Sequence, residues 1–182
     1  MSCLRLTPCF RSPSFLPLIL RVCPWCGQRE AQEEIGLDPA LVTYVAQLDG
    51  IMSRFGLLVT PFVATVPADF VPRPSPREVQ EVFRVPLDAF LATDPALHTA
   101  AVFETDDGTA QLSHLFYYEG RTIWGLTASM LLHLIEASGY APIPFDVSLP
   151  GSLSWFDRAL QHRGGAEGDG DAAAAPPSRS RL

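Results

Sequence analysis

Apolar and polar residues follow two rhythms along this chain, and the rhythms lay out the elements. From Val42 to Leu48 the apolar side chains fall on every second position (Val42, Tyr44, Ala46, Leu48), which is the period of a strand. Leu57 to Val66 is β-rich, and Pro61 within it predicts an edge or a bulge, because proline has no N–H to give to a ladder. Glu78 to Leu87 reads as a strand that ends in proline. Thr99–Glu104 and Thr109–Tyr118 flank Asp106-Asp107-Gly108, a hairpin signal, and Thr122-Ile123-Trp124 continues as a short strand. The rhythm then turns helical. Between Thr127 and Ser138, Ala128, Leu131, Leu132 and Ile135 form one stripe, closed by Gly139. Asp88–Leu91 starts a short helix, and Ser154–Gln161 is a last helical piece with Ser154 as its cap. Pro67, Pro72, Pro74 and Pro76 predict a stiff connection. From Gly164 the chain is Gly, Ala, Asp, Pro and Ser, too poor in apolar mass to offset its ordering entropy, so a disordered tail is expected.

One stretch stands apart from both rhythms: Arg29-Glu30-Ala31-Gln32-Glu33-Glu34-Ile35-Gly36-Leu37. On a helix, Glu30, Glu33 and Glu34 stand at i, i+3 and i+4 and share a face. Three carboxylates on one face repel, and a divalent cation reverses that balance; oxygen ligands of this kind suit Mg²⁺ or Mn²⁺. Gly36 tolerates the left-handed conformation that ends a helix, and Leu37 returns the chain to a core. For a bare E-x-x-E-E the alternative is a solvated acidic helix end.

Composition narrows the classes. The chain has 182 residues, 47% of them apolar, enough for one domain with a sizeable core. A net charge of −7 argues against a general nucleic-acid binder. It leaves room for a phosphorylated substrate, because bound cations can supply positive charge. No apolar run approaches the length of a membrane span. The four cysteines all precede residue 27 and do not make a disulfide-stapled scaffold. Residues 1–28 contain no acid, and Arg5, Arg11 and Arg21 are their only charged side chains. This start resembles a mitochondrial presequence, and Phe15–Leu20 resembles a signal-peptide core, although Pro8, Pro13, Pro17 and Pro24 break an amphipathic helix. Cys23-Pro24-Trp25-Cys26 is a C-x-x-C, found in redox sites and zinc ribbons; Cys3 and Cys9 could complete a zinc set. The alternative is a segment with no role in the fold.

The acidic stretch resembles the second half of the Nudix box, G-x5-E-x7-R-E-U-x-E-E-x-G-U with U aliphatic. Arg29, Glu30, Ala31, Glu33, Glu34, Gly36 and Leu37 fill their places. Val59-Thr60-Pro61-Phe62-Val63, Glu78-Val79-Gln80-Glu81-Val82-Phe83-Arg84-Val85-Pro86-Leu87 and Ile123-Trp124-Gly125-Leu126-Thr127-Ala128 resemble the coenzyme A diphosphatase branch of that family. The terminal Ser180-Arg181-Leu182 resembles a peroxisomal import signal. The resemblance implies an α/β/α sandwich with a mixed sheet, short of some early strands. It divides the chain into an atypical segment 1–28, the carboxyl-terminal part of a Nudix domain over 29–160, and a tail over 161–182.

By this resemblance, Glu30, Glu33 and Glu34 hold Mg²⁺ or Mn²⁺, Glu30 and Glu33 share the catalytic work, and Arg29 orients the carboxylates. A further carboxylate is expected at Glu78, with Glu81 second; surface charge is the alternative for both. The implied reaction splits coenzyme A or acyl-coenzyme A into 3′,5′-ADP and (acyl-)phosphopantetheine. The implied partner is the peroxisomal import receptor, through Ser180-Arg181-Leu182. Peroxisome is the expected location and mitochondrion the alternative.

The box pattern calls for Glu at position 21 and Gly at position 15, where the chain has Arg21 and Phe15. Residues 1–28 are therefore expected to stand in for the true amino-terminal half, leaving a catalytically impaired isoform that acts as a binding partner as the second reading. A small zinc-dependent interaction module is the third. Trp124 stacks on a ligand or fills the core, with the core expected. His98, His114 and His133 lack mutual ligand spacing and read as structural or surface residues.

Overall fold

The structure, a computed structural model, describes residues 6–9, 15–21, 24–53, 57–104, 108 and 110–152, with side chains from Cys26 onward. Its strands are β1 (Leu6–Cys9), β2 (Phe15–Arg21), β3 (Thr43–Gln47), β4 (Ile51–Met52), β5 (Leu58–Val59), β6 (Pro61–Pro67), β7 (Phe83–Pro86), β8 (His98–Glu104), β9 (Ala110–Tyr118) and β10 (Arg121–Trp124). Its helices are α1 (Pro24–Ile35) and α2 (Gly125–Ser138), with 3-10 turns at Pro39–Leu41 and Leu87–Leu91. β6 lies between β2 and β3, antiparallel to both. β8, β9 and β10 form an antiparallel meander, β4 pairs with β5, and β1 runs parallel to β7. The fold is α/β, with helices set on mainly antiparallel sheets.

β6 shows why the helices sit where they do. Successive side chains of a strand point to opposite faces. Phe62, Ala64 and Val66 pack with Ala31, Ile35 and Leu37 at α1. Val63 joins the other core, with Phe83, Val85, Phe116, Ile123 and the buried stripe Ala128, Leu131, Leu132 and Ile135 of α2. One strand thus feeds two cores, each covered by one helix. α2 ends at Gly139, whose φ of 61° is left-handed as its place in the sequence requires.

Several expectations are corrected. Pro61 lies in a central strand, not an edge: it is the first residue of β6, where strands admit proline. The bulge falls in β3, between Tyr44 and Ala46, and β3 is the edge. There Tyr44 and Val45 are exposed, so the alternation from Val42 to Leu48 is broken. The strand expected over 78–87 is only Phe83–Pro86, because Ser75 to Val79 form a turn closed by Glu78 and Val79 N–H bonds to Ser75 O. Trp124 is 57% exposed, since Ile123 takes the inward position of β10. Pro24 starts α1 instead of breaking it; the first helical residue has no N–H to lose.

Ser154–Gln161 and the tail with Ser180-Arg181-Leu182 lie outside the described residues. Among those described, no helix is long and apolar enough to cross a membrane.

Candidate functional site

Helix α1 sorts its residues by direction. Ala31 and Ile35, four apart, are buried against β6. Arg29 and Glu33, also four apart, stand in solvent, with Arg29 Nε 3.8 Å from Glu33 Oε1. Glu30 and Glu34 lie half-buried along the boundary between these two faces. Glu34 turns its Oε2 out of solvent, and neither of the two is free of partners. The structure therefore brings Glu30 and Glu34 onto one helix edge and swings Glu33 away toward Arg29.

The end of α1 is built to hold that edge still. Gly36 adopts a φ of +67°, its N–H donates to Gln32 O at 3.0 Å, and Leu37 N–H reaches back to Ala31 O at 3.2 Å. The Gly36 bond, four positions back, is that of a left-handed cap; with the Leu37 bond, six positions back, it satisfies late carbonyls of the helix, and Leu37 packs in the same cluster as Ala31. The carbonyls of Ile35 and Glu34 accept bonds from Arg73 N–H (2.8 Å) and Ser75 N–H (2.7 Å). Gly36 must also be small, because a Cβ there would lie 3.2 Å from Arg73 Cβ. The proline-rich connection of the sequence is thus a brace across the helix end.

Glu78 rides on this brace. Val79, beside it, is buried in the cluster with Ala31 and Ile35, while Glu78 itself is exposed in the turn. It stands in a turn and not, as expected, on a strand. Glu81 is committed elsewhere: Arg121 Nε donates to its Oε2 at 2.9 Å, and Arg121 Nη2 donates to its Oε1. That bond holds the Glu81 carboxyl below its ordinary range. Arg121 also lies 4.8 Å over the Phe83 ring, so the pair ties β10 to the start of β7.

Carboxylate oxygens suit Mg²⁺ or Mn²⁺ in their chemistry. Their arrangement is another matter: among the described residues, no group of three His, Cys, Asp or Glu side chains is placed to hold a metal ion. The acids of α1 fit the donor type and not the geometry of a three-ligand site. Cys26 is disulfide-bonded, which takes its thiolate out of any zinc set. Positions 15 to 21, where the box pattern calls for Gly and then Glu, form β2 and pair with β6.

Comparison with known proteins gives a consistent relationship. No protein-family model matches the chain. Nudix hydrolase 15, mitochondrial, of Arabidopsis thaliana is 35% identical over 128 residues, which is 67% of this chain and 44% of that protein. The curated relatives are Nudix hydrolases. Nudix hydrolase 22, chloroplastic, of the same plant is 39% identical over 110 residues, covering 57% of this chain and 35% of that protein. The uncharacterized Nudix hydrolase NudL of Shigella flexneri is 34% identical over 117 residues, covering 63% and 58%. The chain spans about half the length of the Nudix relatives it matches, 35–58% in these three cases.

The sequence missed two arrangements. Arg73 and Ser75 act through backbone N–H groups, which carry no side-chain signal. His98 and His114, sixteen residues apart, meet at 2.9 Å because their strands pair.

Proposed function

We propose that this chain belongs with the Nudix hydrolases of the coenzyme A diphosphatase type, which hydrolyse the diphosphate bond of coenzyme A and acyl-coenzyme A to 3′,5′-ADP and (acyl-)phosphopantetheine. The observation that carries this reading is α1 with its Gly36–Leu37 end. Its residues fill the second half of the box, and the helix, its cap and its brace hold Glu30 and Glu34 on one edge. Glu30, Glu33 and Glu34 are the acidic set, Arg29 positions Glu33, and Glu78 on the brace is the further carboxylate. Mg²⁺ or Mn²⁺ belongs to the reading through the chemistry of these donors.

A second reading is favoured by two observations. With Glu33 turned to Arg29 and no three-ligand group among the described residues, the chain acts as a catalytically impaired binding partner of such a hydrolase. Misplacement of a site by about 1 Å can cost about a hundredfold in rate. The test is to incubate purified chain with coenzyme A and Mg²⁺ or Mn²⁺, beside Glu34→Gln, and follow 3′,5′-ADP. Release that disappears in the variant supports the first reading. No release from a folded chain that still retains coenzyme A in equilibrium dialysis supports the second. Neither release nor retention sinks both.

Ser180-Arg181-Leu182 supports recognition by a peroxisomal import receptor, whereas the acid-free start supports mitochondria as the alternative. A fluorescent fusion at the amino terminus, with and without the last three residues, separates the first from a cytosolic default; a fusion at the carboxyl terminus reads the second.

A further inference from the structure

A strap of chain after α2, Tyr140 to Val147, closes one side of the core: Tyr140, Ile143, Phe145 and Val147 all pack against it. Tyr140 OH donates to Asp88 Oδ1 at 2.9 Å at the start of the strap. At its other end stand two histidines. His98 on β8 and His114 on β9 share one hydrogen between His98 Nε2 and His114 Nδ1 at 2.9 Å. Phe145 lies 4.1 Å from the His98 ring and 5.1 Å from the His114 ring, centre to centre. Phe116 stacks on His98 at 4.6 Å. His114 Nε2 lies 3.4 Å from Val147 O.

Counting hydrogens shows what this arrangement tolerates. A carbonyl can only accept, so His114 must carry its hydrogen on Nε2 to reach Val147. Its Nδ1 then accepts, and His98 Nε2–H donates. Two neutral rings supply these two hydrogens and no more. Ala92 bonds His98 through its backbone in a way that favours the charged ring, as a carbonyl does, so one added proton is accommodated. A second proton places N–H groups on both sides of the 2.9 Å contact, where they repel. Among the described residues, no acid opposes this. Asp94 directs its carboxylate to Ala96 N–H, Asp146 is exposed, and Tyr117 OH is bonded to Thr99. Among the described residues, the charge acting on His114 is that of His98.

We propose that the His98–His114 contact is an acid-sensitive latch, which holds Phe145–Val147 onto β8 and β9 when at least one ring is neutral and releases the strap when both are charged. Burial of both rings, which disfavours their charged forms, places release on the acid side of an ordinary histidine.

Hydrogen exchange on the full chain tests the latch. Peptides spanning 140–150 are followed by mass spectrometry at about pH 7.5 and about pH 5, corrected for intrinsic exchange, with β6 as reference. Wild-type strap protection is expected to fall on acidification by about tenfold or more beyond any change in β6, the ratio that one pH unit of differential proton binding produces. H114Q, which retains a donor and an acceptor but cannot titrate, is expected to show equal strap protection relative to β6 at both pH values; H133Q keeps the wild-type loss relative to β6. Strap protection that, relative to β6, stays flat in the wild type or falls equally in H114Q overturns the proposal. Imidazole nitrogen spectra of the wild type give a reading that needs no variant. Separate protonation steps for the two coupled rings are expected, and one common step for His98, His114 and His133 overturns it.

Discussion

Gly36 concentrates two constraints in one residue: a left-handed backbone and a neighbour closer than ordinary van der Waals contact to any Cβ placed there. Any Cβ meets Arg73, and any L side chain is strained at a φ of +67°. Gly36→Ala is therefore expected to destabilise the chain by about 1–2 kcal/mol, seen as a lower denaturant midpoint with unchanged slope. Arg29 carries the opposite expectation. Its pair with Glu33 is exposed on both sides and spans 3.8 Å. Such pairs contribute about 0.3–0.5 kcal/mol, so Arg29→Ala should leave stability nearly unchanged. A large loss of stability in that variant would show Arg29 packing against something other than Glu33. Gly36 was legible in the sequence, because a cap glycine depends only on helix geometry; the pairing of Arg29 with Glu33 was not read there, where Arg29 entered only through the family resemblance.

At the scale of elements, α1 is held by burial more than by its charges. Ile35 is 4% exposed and packs in the cluster with Phe62, Ala64 and Val79. Ile35→Ala is expected to cost about 2–5 kcal/mol, by lost transfer energy and the cavity left behind. Gln32→Ala, on the exposed side of the same helix, should stay within about 0.5 kcal/mol. Paired denaturation curves of the two variants separate packing from helix propensity. Equal losses would mean that α1 is held by its own backbone and not by β6. α2 and the β8–β9 hairpin were readable from periodicity and turn chemistry. The brace over 73–79 was not, because backbone N–H groups meet the α1 carbonyls only once both segments lie on the same side of β6.

Across the whole molecule, three buried or half-buried histidines are expected to make the protein acid-sensitive. His98, His114 and His133 are each pushed below the ordinary 6.5, first by burial. The unfolded chain therefore binds protons before the folded one does. Stability should be full above pH 6.5 and fall as pH drops below that value through the folded pKa values. His133 adds a buried Nδ1 with no hydrogen-bond partner among the described residues. Urea unfolding at about pH 7.5 and about pH 5 checks the sign, and H133Q should show a weaker dependence than the wild type. Greater stability at the lower pH would reverse the account.

Neighbours along the chain were enough to set the acidic helix and its glycine end, the stripe of α2, the hairpin strands and the likeness to Nudix hydrolases. Caps, periods and local charge spacing act over a few residues, so the order of amino acids carries them in full. Distant partners settled the rest, and they meet only in the folded chain. Pro61 became the first residue of a central strand because β2 and β3 flank β6. Trp124 faced solvent because Ile123 took the inward place. Glu81 was claimed by Arg121, forty residues on, and His98 met His114 through the register of two strands. The division has one physical cause: a residue's backbone conformation is governed mainly by its neighbours in sequence, and the partner its side chain meets is governed by packing.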